Sequence, residues 1–223
     1  MTYDSVRGGV GETGGACDPA SLPVPSIGEV TGAPGGGGVP APSTNRVADS
    51  EFGQLPAARV DAATPTTGSA AGVGSWQGGT WRAVTGRTPT GHRAVEVTTT
   101  AASSQGVILY PSTATPVTGT PLADRDQVAG SVHVKAPKGQ NMILALRVVS
   151  PARGWVGEFT EVFVGTGGWQ RVSIQYTAGP LDAGNFAALA VGTKVPTAAG
   201  VKFSVCGPQV EAGWVTTPYQ PTS

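Results

Sequence analysis

The sequence has 223 residues, with 14 basic and 14 acidic side chains and a formal net charge of zero. Only 13% of its residues are charged, about half the ordinary share, which argues against electrostatic capture of nucleic acid or of an anionic membrane. A weakly charged surface also favours self-association, because little repels one copy from another. The length allows one large domain or two small ones.

Residues 1–44 differ from the rest of the chain in composition and in the pattern of their apolar residues. Seventeen of them are Gly or Pro, including the run PGGGG at Pro34–Gly38, and their apolar residues follow no period. Such a segment cannot bury enough apolar surface to offset its ordering entropy, so we expect an extended arm or linker that becomes ordered only across a neighbouring subunit. The first residues also lack the basic and apolar regions of a signal peptide, so we expect a soluble protein made in the cytoplasm.

Residues 45–223 read as short strands separated by turns. Segments with alternating or continuous apolar residues predict antiparallel strands, and there is no rhythm of alternating helices and strands. The clearest are Ala94–Thr98, Ser131–Lys135, Asn141–Ser150, Glu161–Val164, Arg171–Tyr176 and Val201–Val205. About ten strands predict an all-β jelly-roll β-sandwich.

Motifs that would carry catalysis are weak. Gly9–Gly14 matches GxGxxG by letter, but no strand precedes it and no helix follows, so we interpret it as a chance match. His133 falls on the polar phase of its strand and is predicted to face outward. Glu158 and Glu161 are three positions apart and should point to opposite sides of a strand, which a pair of catalytic carboxylates cannot do. We predict no catalytic residue, no cofactor and no enzyme activity.

Metal and disulfide chemistry are equally unsupported. Asp124 and Asp126 lie in a turn with Arg125 between them, which is more typical of a solvated turn than of a calcium site. Cys17 and Cys206 are more simply two free thiols than a bridge. Among the tryptophans, Trp155 follows the turn sequence SPARG and is the candidate for an exposed glycan contact, although burial is the usual role of an aromatic side chain.

Four pieces of the sequence resemble, in order, the carbohydrate-binding-module-like jelly-roll domains. NRVADSEFG (Asn45–Gly53) is similar to their opening strand, QVAGSVHVKAPKGQNMILAL to a central strand pair, GTGGWQRVSIQYTAG to a strand that begins with Trp, and FSVCGPQVEAGWVTTPY to the closing strand and its tail. The last form looks most like that of tailed-bacteriophage structural proteins. In the resembling domains the tail runs back along the sandwich, tethered at Thr-Pro-Tyr.

The resemblance implies a virion protein, assembled in the host cytoplasm, that contacts other virion proteins and copies of itself. A minor tail protein is the first expectation, and a capsid decoration protein or a glycan-binding module are the alternatives. The structural calcium of related sugar-binding modules is not expected here, because Gly53 and Cys206 stand where that ion's acidic ligands would be, and calcium needs oxygen donors.

Overall fold

A computed structural model describes residues 45–195 and 197–222. The predicted arm of residues 1–44, the Gly9–Gly14 motif and Cys17 lie outside these ranges. The described part is almost entirely strand, with two single-turn 3₁₀ helices at Ala57–Arg59 and Pro180–Asp182. Its eleven strands are β1 (Ser69–Ala70), β2 (Val73–Trp76), β3 (Thr80–Val84), β4 (Ala94–Thr98), β5 (Gly106–Leu109), β6 (Gln127–Lys135), β7 (Asn141–Val149), β8 (Trp155–Val164), β9 (Trp169–Thr177), β10 (Phe186–Thr193) and β11 (Lys202–Ala212).

The strands form two antiparallel sheets, and the predicted jelly-roll β-sandwich is confirmed. The six-stranded sheet has the order β1-β2-β5-β10-β7-β8, and the five-stranded sheet has the order β3-β4-β11-β6-β9. Strands that follow one another along the chain therefore often lie in different sheets, as β5 and β6 do. All pairings between these strands are antiparallel.

The main core lies between the sheets and follows from the alternation of the strands. Inward side chains such as Trp81, Val132, Leu146, Leu189 and Phe203 are each at most 2% exposed. The segment Asn141–Ser150 could have favoured a helix by propensity alone, but it forms β7, which lies between β10 and β8. Its apolar run buries Met142, Leu144, Leu146 and Val148 in the core.

The pair Gly207-Pro208 predicts a break in the last strand, because proline lacks a donor, and β11 changes phase there. Its pairing with β6 runs regularly to Cys206, shifts, and resumes at Gln209. Pro208 cannot donate to the ladder, and Gly207 adopts a positive φ of 56°. The shift keeps both Val205 and Val210 in the core.

Candidate functional site

Trp155, the glycan contact predicted from the sequence, is the first residue of β8 and is 64% exposed. It lies at a register shift, where Val148 pairs with Gly157 and Val149 pairs with Trp155. The turn before it is closed by three hydrogen bonds between Ser150 and the segment Arg153–Gly154, at 2.8 to 3.0 Å. This turn fixes the backbone from which the indole projects.

Arg153 fastens this turn to a second loop. Its Nη2 atom donates to the carbonyl oxygens of Ser112, Thr113 and Ala114, at 3.1 to 3.2 Å, and its guanidinium carbon lies 4.5 Å from the centre of the Tyr110 ring. A planar guanidinium suits both tasks, because it donates in its plane and stacks on an aromatic face. Trp155 is therefore held next to a clamped part of the structure, which lowers the entropy cost of a contact made there.

Arg147 and Glu158 form an ion pair on the same side of the sheet. The two residues are directly opposite each other on β7 and β8, and Arg147 Nε lies 3.0 Å from Glu158 Oε2. The guanidinium carbon of Arg147 also lies 5.6 Å from the centre of the Trp76 ring. Both charged side chains remain partly accessible, at 13% and 29%.

These side chains share the outer face of the six-stranded sheet. Arg147 and Val149 are two positions apart on β7 and so point the same way, and Trp155 is paired with Val149. Val149 and Trp76 also belong to a second apolar cluster outside the main core, together with Ile108, Tyr110, Val117, Ala145, Phe186, Ala188 and Ala190. We call the group Trp76, Arg147, Trp155 and Glu158 the outer-face cluster.

Gly192 on β10 is what lets Trp76 reach across the sheet. A Cβ atom at this position would lie 2.6 Å from Cζ3 of Trp76 and 2.9 Å from the carbonyl oxygen of Gln105. The indole ring therefore lies against the β10 backbone and extends towards Arg147. The outer-face cluster thus places one exposed aromatic ring on the same face of the sheet as a cation and a carboxylate, which can donate to and accept from the hydroxyl groups of a ligand.

The outer face of the other sheet carries the C-terminal segment of residues 213–222. Thr217 contacts Glu211 and Arg171, Tyr219 Oη lies 3.0 Å from Ser50 Oγ, and Thr222 bonds to Ser50. The sequence-based expectation that the terminus is tethered at Thr-Pro-Tyr is confirmed. This covered face is less suited to an external ligand than the outer-face cluster.

Cys206 lies beneath this segment, is free and is completely buried. Burial raises the pKa of its thiol to about 11, against the effect of hydrogen bonds with Thr90 and Thr88. Gly53 is the second position where related modules have an acidic calcium ligand. Its backbone N–H donates to Asp49 Oδ1 at 2.7 Å, and the Gln54 N–H donates to Asp49 Oδ2 at 2.8 Å. Both oxygens of the nearby carboxylate are thus bonded to backbone N–H groups.

The two histidines, His92 and His133, and the two glutamates of β8 do not converge. His92 lies 3.1 Å from Glu51, while His133 faces outward on β6, opposite Cys206 and Arg171. Burial, and to a lesser degree the charge of Arg171, hold the pKa of His133 below its ordinary value. Glu158 and Glu161 are paired with Arg147 and Leu144, on opposite faces of the sheet, as predicted.

Among residues 45–195 and 197–222, no three His, Cys, Asp or Glu side chains are grouped so that they could hold a metal ion. Asp126 Oδ2 accepts a hydrogen bond from the Ala123 N–H at 2.9 Å, and Asp124 lies 3.8 Å from Arg125. Within the same ranges, no helix has the length and apolar character to span a bilayer.

Three comparisons place the chain beside known proteins. No protein-family model and no curated protein matches the sequence. Among solved structures, the chain is similar to the CBM22-2 xylan-binding domain from Paenibacillus barcinonensis Xyn10C, with a TM-score of 0.48 and 13% identity over 66% of this chain and 94% of that one. It is also similar to an arabinose-bound MgGH51 α-L-arabinofuranosidase, with a TM-score of 0.49 and 10% identity over 77% of this chain and 27% of that one.

A domain of the bacteriophage CBA120 tailspike protein 4 is a further similar structure, with a TM-score of 0.42 and 5% identity over 63% of this chain and 19% of that one. The chain thus spans only about a quarter of the arabinofuranosidase and a fifth of the tailspike domain. The class of protein that the chain's own topology defines is a jelly-roll β-sandwich.

Proposed function

We propose that this chain is a structural component of a tailed-bacteriophage virion, a minor tail protein, whose β-sandwich binds host-surface glycan through the outer-face cluster. The observation that carries the glycan proposal is the exposure of Trp155 on a fixed turn, on the same face as the Arg147–Glu158 ion pair. The proposed partners are other virion proteins, further copies of this chain and a host polysaccharide, and the proposed location is the virion.

The chemistry of the cluster suits a sugar ring. The C–H face of a pyranose is apolar and can lie on an indole, while its hydroxyl groups need donors and acceptors close by. Trp155 offers the indole, Arg147 offers donors, and Glu158 offers acceptors. The zero net charge of the chain is compatible with a neutral polysaccharide, for which electrostatic steering is of little use.

The role in a particle is supported by the sequence. The closing segment Phe203–Tyr219 resembles that of phage structural proteins, and the Gly/Pro-rich residues 1–44 are suited to lying on neighbouring subunits. A particle presents many copies of each site, so a weak glycan contact gains by multivalency. We propose binding rather than catalysis, because Glu158 and Glu161 face opposite sides of the sheet.

The glycan proposal is tested by depletion of the protein from solution with purified host cell-wall polysaccharide. We expect the wild-type chain to be depleted, and Trp155→Ala to lose most of this binding. The matched control is Trp214→Ala, which removes another exposed indole, 45% accessible, from the C-terminal segment. Equal binding by all three proteins would remove Trp155 from the site.

The particle proposal is tested by deleting residues 1–44. We expect a folded, soluble sandwich that no longer enters particles, as read by mass spectrometry of purified virions. Normal incorporation of the shortened chain would contradict the role of the arm. Gold-labelled antibody on intact particles then separates the tail location that we propose from a decoration of the head.

A further inference from the structure

Strand β8 is an edge of the six-stranded sheet that the described residues leave uncovered. It pairs with β7 along one side, and the strand order of the sheet ends there. It is ten residues long, and every one of its residues is exposed or half-exposed. The N–H and C=O groups along its free side are therefore available to another strand.

The side chains of β8 make this edge apolar. Five of its large hydrophobic residues are exposed, between 39% and 64%: Trp155, Val156, Phe159, Val162 and Val164. The sequence WVGEFTEVFV contains no Lys, Arg or Pro; its protective features are Glu158, Glu161 and a register shift confined to its first residues. An edge of this length with so much exposed apolar surface is suited to a partner strand.

The other edges of the two sheets are better protected. The free side of β3 is covered by the segment before β1, where Thr66 and Trp81 exchange backbone hydrogen bonds and Asp61 donates to the Ala83 carbonyl. β1 is only two residues long. β9 carries Arg171 in its first half. The contrast identifies β8 as the edge suited to association.

The charges of β8 limit how two identical strands could pair. A two-fold antiparallel pair centred on Glu158 or Glu161 sets like carboxylates directly opposite each other, which is destabilising. Centring on Thr160 places Glu158 and Glu161 opposite Val162 and Phe159. Centring on Phe159 instead places Glu158 opposite Thr160 of the second copy and Glu161 opposite Gly157 of the second copy.

In the register centred on Phe159, Gly157 leaves space for the residue opposite it, and no two like charges face each other. Nothing lies within 4 Å of the position that a Cβ atom would take there, so the Glu161 side chain of the second copy has room. Phe159 already stacks on Tyr176, with ring centroids 6.1 Å apart, and is 43% exposed. In this register two Phe159 rings meet and cover each other, while Val156 lies opposite Val162 of the second copy.

We propose that two copies of this chain associate through β8, antiparallel and centred on Phe159, so that their six-stranded sheets join into one continuous sheet. Because the net charge of the chain is zero, two copies do not repel each other at long range. The inference names the self-association surface of the proposed virion protein, but it does not depend on glycan binding.

Two substitutions of opposite charge at Thr160 test both whether β8 is the interface and whether the pair is centred on Phe159. In the proposed dimer, Thr160→Lys sets two cations opposite the two Glu158 carboxylates, and Thr160→Glu sets two carboxylates there. Sedimentation equilibrium of the full chain should show a dimer, tighter for Thr160→Lys and weaker for Thr160→Glu, with dissociation constants about tenfold or more apart. Circular dichroism checks that both variants fold.

A cysteine at the centre of the pair gives an independent readout. Directly opposed residues of antiparallel strands have Cα atoms about 4.5–5.5 Å apart, within the range of a disulfide. In a Cys17→Ser background, Phe159→Cys should form a covalent dimer on mild oxidation, while the exposed loop control Ala102→Cys should not. A monomer at all concentrations, or a dimer equally strong in both Thr160 variants, would overturn the proposal.

Discussion

Thr217 engages both oxygens of the buried Glu211 carboxylate. Its backbone N–H donates to Oε2 at 3.0 Å, and its hydroxyl donates to Oε1 at 2.5 Å. Glu211 is 0% exposed, so hydrogen bonds from the C-terminal segment replace the water that would otherwise solvate this carboxylate. The last residues of the chain are thereby part of the sandwich rather than an appendage to it.

We predict that Thr217→Val destabilises the protein by about 1–3 kcal/mol, because it leaves a buried carboxylate oxygen without its hydroxyl donor. The free energy of unfolding in urea measures the effect. The control is Thr216→Val, since the Thr216 hydroxyl makes neither of these bonds, and it should change the stability by less than about 0.5 kcal/mol. Equal effects of the two substitutions would contradict the role of Thr217.

Asn45 connects the start of the sandwich to its end and gives a second prediction. Its Nδ2 atom donates to the carbonyl oxygens of Pro208 and Gln220, both at 3.0 Å, and its Oδ1 atom accepts from the N–H groups of Val47 and Val210, both at 3.1 Å. Asn45→Ala leaves these buried groups without partners and should cost about 3 kcal/mol of unfolding free energy.

Asn45→Asp retains the acceptor oxygen but puts a second, anionic oxygen against the Pro208 and Gln220 carbonyls. Because a buried charge without a donor is costly, we expect a larger loss of stability at neutral pH than for Asn45→Ala. Thermal melting of both variants measures the difference. If Asn45→Ala melts within a degree of the wild type, the connection between the two ends contributes nothing.

His133 makes the stability depend on pH. Because its pKa is lowered in the folded state, chiefly by burial, the unfolded chain binds more protons than the folded chain as the pH falls below about 6.5. Its contribution is therefore fully present above that pH and is lost as the pH falls towards the folded-state value. His133→Gln should flatten this part of a plot of melting temperature against pH, and an unchanged slope would contradict the assignment.

The reactivity of the Cys206 thiol measures how well the C-terminal segment covers it. With its pKa raised to about 11 and no exposed surface, the thiol should react very slowly with a thiol reagent at neutral pH in the native protein. In a Cys17→Ser background, urea should restore the rate of an ordinary thiol. Deletion of residues 217–223 should give an intermediate rate, and fast reaction of the intact native chain would contradict the burial.

Gly192 offers a test of how the outer-face cluster is built. Gly192→Ala would force the Trp76 ring away from the β10 backbone, which should cost about 1–3 kcal/mol and disturb the stacking of Arg147. We expect weaker glycan depletion by the folded variant. The control is Gly157→Ala, where the same added methyl group meets no atom within 4 Å and should leave binding intact.

The local patterns of the sequence were enough to predict the all-β class, several of the strands and some orientations. Alternation placed His133 outward, and the Gly207-Pro208 pair predicted the interruption of β11, because both depend only on neighbouring residues. The turn sequence before Trp155 made it a candidate for exposure at a loop tip, whereas burial is the usual role of an aromatic side chain; the residue is exposed, but it is the first residue of strand β8. The arm of residues 1–44 remains a prediction.

The environment of Trp155 could not be predicted in the same way. The Arg153 contacts with Ser112–Ala114 span about forty residues, and the approach of Arg147 to Trp76 depends on which strands lie between them. The edge position of β8 is likewise a property of the strand order. Glu161–Val164 was predicted as a strand, but nothing in those residues shows that one side of it is free.

A structure of the sandwich in complex with an oligosaccharide from the host surface tests the glycan proposal most directly. We predict a sugar ring within about 4 Å of the Trp155 indole, with hydroxyl groups bonded to Arg147 or Glu158. A sugar bound instead on the five-stranded sheet, or one that leaves Trp155 untouched, would contradict it.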